Sequence, residues 1–436
     1  MAATTIGCLP TELLFHVLSF LDRPAPSDLR LHNQPHADML KESDPRSRNL
    51  KNVSVVNRQW RATVLPLLFR SAVWSLEGLD LLQREHLKDS PAAIPLLLFI
   101  QDNSLMSYVR SLTLVIGATP ATPEPSWPFP RDRGGESDLI FNEDYNWLWR
   151  LVFDNITPAR LTIIASPRVL ASLLARRVFL GNEWGFNQSH HVLSLSMDGD
   201  GPRRMPKMRS PQEERAQEDT GSNAAEPSLQ PALSTAEASG TQPSSTTTPP
   251  RIPCKLFTLR PWTSLLLNEG SSTPVYKTYE YFHKRPPSVL GALLGAGAFP
   301  NNEPLVPTTV RAFSYVAIFP LASHVCTTLV LWLPRVERLF VQLVPRGDLL
   351  DDRRAMAQID MNDLWAERNM AYAEIMPMLF VRPVDSAGNW PFLLEFESGD
   401  ADDRESWEMA VDYVNAREHL AEWKVERQGL FIRQRS

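Results

Sequence analysis

Residues 9–21, Leu-Pro-Thr-Glu-Leu-Leu-Phe-His-Val-Leu-Ser-Phe-Leu, place the tightest constraint on this chain. Pro10 suits the start of a helix, where its missing N–H goes unused. Glu12, His16, Ser19 and Arg23 then fall on one narrow stripe at helical spacing. Leu13, Leu14, Phe15, Val17, Leu18, Phe20 and Leu21 occupy the remaining circumference. A helix apolar over most of its surface must be covered nearly all round. So short a segment brings more apolar surface than its own neighbourhood can bury, and the cover is either a core or a partner.

A second segment runs from Leu50 to Arg70. Leu50, Val53, Val56 and Trp60 recur at three- and four-residue steps, which predicts one shared helical face. Arg58 and Arg61 sit off that face, and Pro66 closes the helix ahead of Leu67, Leu68 and Phe69. Between the two segments, residues 23–49 hold Pro24, Pro26, Pro35 and Pro45 among many charges and read as an exposed excursion.

Together the two segments resemble an F-box. The Leu-Pro-x-Glu opening, the apolar first helix, the Arg-x-Trp-Arg run at Arg58–Arg61 and the Pro-x-Leu-Phe-Arg ending at Pro66–Arg70 appear in the family's order. One departure is the insertion 23–49, where the family usually has a short loop. The resemblance implies a three-helix F-box over residues 5–75, a unit too small to build an adequate core alone. Its surplus apolar face is then a helix-in-groove ligand. In this family the partner is the Skp adaptor, which links the F-box protein to a cullin scaffold and a RING ubiquitin ligase. Matched residue by residue, Leu9, Pro10, Leu13, Val17 and Leu18 would contact the adaptor. Leu50, Val53, Val56 and Trp60 would contact it or support the contact.

The rest of the chain has the composition of a globular protein, 43% hydrophobic over 436 residues. A net charge of −6 offers no basic field for nucleic acid or an acidic membrane. Cys8, Cys254 and Cys326 are too few and too far apart for a disulfide framework or a cysteine zinc site, and fit a reducing compartment. No apolar run reaches the ~20 residues of a membrane span. The N-terminus lacks a basic start and a small-residue cleavage site, so it does not read as a signal peptide. The expected location is cytoplasmic or nuclear.

Residues 198–251 carry no aromatic residue and eight prolines, and end in Ser- and Thr-rich sequence. Such a segment cannot bury enough apolar surface to offset its ordering entropy and is expected to be disordered. Gly117–Glu136 reads as a shorter proline-punctuated loop. Both interrupt one body, whose parts are 76–197 and 252–436.

Within that body, period-two runs at Val109–Ile116, Ala159–Ile164, Val192–Met197, Lys255–Leu259, Val310–Val316, Val336–Leu343 and Phe392–Phe396 predict strands. Helical patterns lie between them at Tyr145–Phe153, Pro167–Leu180, Thr278–Phe282 and Asp360–Met376. The alternation predicts an α/β fold with a parallel sheet and right-handed crossovers. Its strand anchors (Leu112, Leu161, Leu193, Phe257, Phe313, Leu339 and Leu394) are 26 to 64 residues apart. Regular leucine-rich repeats run 20–29 residues. The body thus reads either as an irregular leucine-rich-repeat-like solenoid, of the kind that follows an F-box in fungal proteins, or as a compact α/β domain. Asp402–Gln428, with Trp407, Val411, Val414 and Ala421 on one face, reads as a helix capping its open end.

Catalytic signals in the sequence are weak. Gly291–Gly297 is glycine-rich but fits neither the dinucleotide fingerprint nor the phosphate loop. His32 and His36 have a helical metal spacing without a matching ligand set. The reading is a non-catalytic substrate receptor of a ubiquitin ligase with no cofactor or metal, binding the adaptor through the F-box and a protein client through the body. The alternative is an adaptor-binding scaffold that acts outside any ligase. Aromatic side chains in the loops, Trp262, Tyr276, Tyr279, Tyr281, Phe282 and Trp332, are the candidate client anchors. Tyr279, Lys284 and Arg285 stand out because aromatics and cations alternate there; a helix packing its aromatics inward is the alternative.

Overall fold

Strands β1 (Ser71–Ser75), β2 (Ser111–Ile116), β3 (Arg160–Ala165), β4 (His191–Ser196), β5 (Ser264–Asn268), β6 (Ala312–Val316), β7 (Arg338–Gln342), β8 (Glu395–Ser398), β9 (Trp423–Arg427) and β10 (Leu430–Arg433) form one sheet. The order is β1-β2-β3-β4-β5-β6-β7-β8-β10-β9, so nearly every strand lies beside its neighbour in sequence. This computed structural model describes residues 9–40, 49–76, 94–116, 145–186, 190–197, 253–278, 280–298, 300–318, 320–345, 347–350, 352–354, 356–357, 359–381, 388–417 and 423–434. The expected disordered segment 198–251 and the loop 117–136 lie outside the described residues.

Because successive side chains of a strand point to opposite faces, the pairing register aligns whole rows across the sheet. Ala72, Leu112, Leu161, Leu195, Leu265, Phe313, Leu339, Phe396 and Phe431 stand directly opposite one another, strand to strand. All are buried, and they belong to the main core. Four N-terminal helices, α1 (Thr11–Ser19), α2 (Pro26–Leu29), α3 (Asn49–Ser54) and α4 (Arg58–Leu68), precede the sheet. The core's other wall includes α5 (Pro95–Asp102), α6 (Asn146–Asn155), α7 (Pro167–Leu173) and α8 (Leu290–Leu294). It continues through α9 (Ala322–Val325), α11 (Met361–Met378) and α12 (Arg404–Asn415), while Leu350 of α10 (Gly347–Leu350) packs on a separate small cluster with Ile318, Val344 and Leu364. Leu148, Trp149, Leu170, Leu293, Val325, Ile375 and Val414 are the side chains these helices bury.

The opposite face of the sheet is not open. Residues 24–40 cross it as a strap. Ser27 Oγ lies 3.0 Å from Ser111 Oγ on β2, and Arg160 of β3 pairs with Asp28. Asn268 Nδ2 of β5 donates to the carbonyls of Leu31 and Asn33, each at 2.8 Å. The His32 ring meets Phe340 of β7 edge-on at 4.8 Å. Leu31, Met39 and Leu40 then bury against Val115, Ile164, Val192 and Leu266, one residue from each of β2 to β5. The expectation of an exposed excursion over 23–49 therefore fails for its described part. Proline fixes extended backbone without forbidding burial, and three apolar side chains spread over ten residues give no periodic signal.

Four further expectations are corrected. The sheet is mixed, not parallel: β4 is antiparallel to both neighbours, with Ala165 at the end of β3 opposite His191 at the start of β4. After α7 the chain travels back through residues 174–186 before entering β4, and alternation carries no information about direction. Lys255–Leu259 is a turn; the strand is Ser264–Asn268, whose run of three leucines is buried on both faces and so lacks alternation. Thr278–Phe282 does not show the expected α-helix among its described residues: Tyr281 and Phe282 belong to a 3-10 turn, Tyr281–His283, and another, Pro274–Lys277, ends just before Thr278. The C-terminal segment is a helix only to Asn415, and Gly429 at φ +80° turns β9 into β10 as a hairpin.

Candidate functional site

Three of the N-terminal helices, α1, α3 and α4, build a small core of their own. Leu14 and Leu18 of α1 meet Leu50 of α3 and Val64 and Leu67 of α4, with Val53, Trp60 and Leu68 packed around them. Asp22, just past α1, pairs with Arg70, just past α4. The second segment is not one helix. Asn57 breaks it, and its side chain caps α4 by accepting from the Trp60 N–H at 2.8 Å. Val56 consequently sits in the turn between α3 and α4 instead of sharing a helical face with Leu50 and Trp60. Pro66 does not close α4 either; it lies inside the last turn, which runs on to Leu68.

Of the residues matched to adaptor contact, Pro10, Leu13, Val17 and Val56 face solvent. Leu9, Val53 and Trp60 are half-buried, and Leu18 and Leu50 belong to the interior. Exposure reaches 53% at Leu13 but only 1% at its neighbour Leu14. Phe15, Phe20, Leu21 and Val55 are exposed as well, with Phe20 at 77% and Val55 at 76%. These four were not singled out by spacing, although the wide apolar circumference of residues 9–21 already required somewhere to put them. The surface offers apolar contact and no chemistry: Glu12 and His16, the ionisable groups of α1, are exposed among the leucines.

The expected client residues scatter. Tyr279 lies outside the described residues. Lys284 holds its Nζ 4.8 Å above the Trp184 ring, and Arg285 places its guanidinium 4.9 Å above Phe179. Tyr276 is buried with Phe186, Val275 and Ile318, and burial pushes its phenol well above the ordinary range. Trp262 is also core, donating from Nε1 to the Leu256 carbonyl at 2.9 Å. Phe282 and Trp332 are exposed.

Inside the body the buried ionisable groups serve the fold. Glu269 follows β5 and is fully enclosed. Its Oε1 accepts from Ser288 Oγ at 2.9 Å and from the N–H groups of Val289 and Leu290 at 2.6 and 3.2 Å. Oε2 accepts from Tyr315 at 3.1 Å. Burial pushes this carboxyl up to about 7, against those bonds. His191 Nδ1 stands 3.8 Å away, and burial holds its imidazole down at about 3. Among the described residues no group of three His, Cys, Asp or Glu side chains is placed to hold a metal, and no helix is long and apolar enough to cross a membrane.

Compared with known proteins, the chain matches no family model, no curated protein and no solved structure.

Proposed function

We propose that this chain is a substrate receptor of F-box type. The N-terminal helices dock on the Skp adaptor of a cullin ubiquitin ligase, and the body holds a protein client. The observation that carries this reading is the division of labour in α1: Leu14 and Leu18 satisfy the cluster's own core, leaving Leu13, Phe15, Val17 and Phe20 as surplus apolar surface. Each such side chain contributes ~1.5–3 kcal/mol on full burial, so a few of them offset the cost of association. The strap between the first two segments bonds to β2, β3 and β5, which fits a receptor that must hold its client at a fixed position relative to the adaptor. We read the body as an irregular leucine-rich-repeat-like array, supported by the sequential strand order and aligned apolar rows; the reversed β4 departs from that pattern.

The test is co-purification. Pro10→Ala combined with Leu13→Asp alters two exposed positions, so the protein folds as before. Binding of the adaptor should be lost, because burying an unpaired carboxylate costs several kcal/mol. Recovery of adaptor at the wild-type level with the double mutant overturns the reading. Recovery of adaptor without a cullin from the wild-type chain favours a scaffold outside the ligase.

A further inference from the structure

The two faces of the sheet are built from different side chains. On the helix side the row from Ala72 to Phe431 is apolar throughout. One residue further along, on the strap side, the aligned row reads Thr113, Thr162, Ser194, Leu266, Ser314 and Phe340. The first five are buried. Thr162 Oγ1 and Ser194 Oγ have each other at 3.0 Å, and the enclosed Thr113 Oγ1 has no hydrogen-bond partner. A hydroxyl buried without a partner is destabilising, and it recovers water as soon as its cover lifts. A face meant to stay dry is apolar, as the helix side is; the strap side tolerates both states.

The strap is attached in a way that suits exchange. Among the described residues no backbone hydrogen bond joins it to the sheet; the N–H groups of Asp28, Arg30, Asn33 and Met39 bond to carbonyls within the strap itself. The sheet instead holds the strap through side chains. Asn268 donates to the carbonyls of Leu31 and Asn33, and Arg160 donates to that of Ser27 at 3.2 Å. Every residue has a carbonyl, so these bonds accept any sequence. Selection falls to the strap's side chains. Asp28 pairs with Arg160, and Gln34 exchanges two bonds of 2.9 Å with the Ser271 backbone. Leu31, Met39 and Leu40 enter the apolar cluster with Val115, Ile164, Val192 and Leu266. Main-chain bonds for affinity and chosen side chains for specificity are the means by which grooves recognise peptide segments.

We propose that this face of the sheet is a peptide groove for the client, and that the strap is its resident occupant, displaced by a client segment of the same chemistry. Such a segment carries an acidic residue three positions before an apolar anchor and an amide three positions after it, as Asp28, Leu31 and Gln34 do, with an apolar pair further on, as at Met39 and Leu40. The covalent tether gives the strap a high effective concentration, which excludes weaker segments. This occupancy presupposes that the body holds a client and is independent of adaptor docking.

Fluorescence anisotropy of a labelled peptide of residues 24–40, added to the full chain, tests it. The Leu31→Ser/Met39→Ser/Leu40→Ser variant keeps the strap's length and loses its anchors. It should bind the peptide at least tenfold more tightly than wild type does, because its groove is vacated. Adding Asn268→Ala to that variant should weaken the peptide at least tenfold, and a peptide carrying Leu31→Asp should not bind. Cooperative thermal unfolding verifies that the variants are folded. Where the triple variant unfolds, amide exchange of the wild-type chain supplies the result: peptide in large excess should quicken exchange at Arg30, Asn33 and Met39 and leave the β2–β5 ladder unchanged. No peptide binding by the folded triple variant overturns the proposal, as does binding that Asn268→Ala leaves unaltered. Strap amides unmoved by excess peptide overturn it where the variant unfolds. Client recovery is a separate measurement: the peptide can fail to bind while the body captures a client elsewhere on its surface, and can bind where no client is recovered.

Discussion

In the N-terminal helices Leu13 and Leu14 are adjacent, yet one is half in water and the other fully enclosed. Across the sheet body, the row from Ala72 to Phe431 leaves no member exposed. The same residue types thus meet opposite fates in two parts of one compact unit. The body has enough chain to cover its apolar surface twice over, with helices on one face and the strap on part of the other. The helix cluster closes a core from five buried side chains, and among the described residues nothing covers Leu13, Phe15, Val17 and Phe20. Exposed apolar side chains occur on the body too, at Trp184, Leu331 and Trp332, but those of the helix cluster crowd one short helix and the turn after α3, and the proposed docking face rests on that crowding.

The largest expected effect breaks this comparison if it fails. Leu14→Ala should cost about 2–5 kcal/mol of the cluster's stability, because it leaves a cavity among Leu18, Leu50, Val64 and Leu67. Leu13→Ala, one position away, should change stability by under about 0.5 kcal/mol, as exposed substitutions do. Urea unfolding of both variants, followed by circular dichroism, checks it. Similar losses in the two would mean that α1 is rotated relative to the face described above.

Much of this was legible in the sequence, and the failures have common physical causes. Period-two alternation found β2, β3, β4, β6 and β7 within a residue or two, because their core-facing rows are regular. Asp360–Met376 was equally visible as a helix, its start fixed by Asp360, whose side chain caps the Asn362 N–H at 2.9 Å. What alternation could not supply was coverage of the second face. β5 reads as a bare apolar run because Leu266 on the strap side is as buried as Leu265 and Leu267. The strap is the counterpart of that run, and its few apolar residues are too dispersed to announce themselves. In the candidate site, the resemblance named Leu13, Val17 and Val56 together with Leu18 and Leu50 and could not separate the exposed from the buried. That separation depends on where α4 packs, which is a tertiary matter.

A second prediction sharpens the contrast by probing the body's interior. Glu269 has a folded-state value of about 7 against an ordinary 4.5, so the folded chain holds its proton more tightly than the unfolded chain. Its contribution is therefore complete below pH 4.5 and is lost as the pH rises to about 7. His191 acts in the other direction. Its value of about 3 against an ordinary 6.5 gives stability that is complete above pH 6.5 and lost as the pH falls toward 3. Glu269→Gln mimics the protonated carboxyl and removes the first dependence only. The difference in unfolding free energy between variant and wild type should grow in the variant's favour by up to about 3 kcal/mol from pH 4.5 to pH 8. A difference that does not vary with pH would show that Glu269 titrates normally. No such titration is expected from the helix cluster, whose described core is wholly apolar but for the Trp60 indole.

The smallest effect concerns the strap, which joins the two regions being compared. Asn268→Ala removes the side chain that donates to the carbonyls of Leu31 and Asn33 and accepts from the Gly270 N–H at 2.7 Å. Buried polar groups left without partners cost about 1–3 kcal/mol each, and the three here include one that the exposed Asn33 can return to water. A loss of about 2 kcal/mol is expected, within that range. The location of the loss matters more than its size. If the strap is a clamp that opens on its own, amide exchange in Asn268→Ala should quicken first at Met39, whose N–H bonds only to the nearby His36 carbonyl. The row-forming amides of β2 and β3 should keep their protection, since their ladder is intact. The exposed face of α1 should be unaffected, because its core does not involve the strap. Exchange that quickens in α1 and β3 together would mean that the helix cluster and the sheet open as one cooperative unit, and that the strap is the element through which they do so.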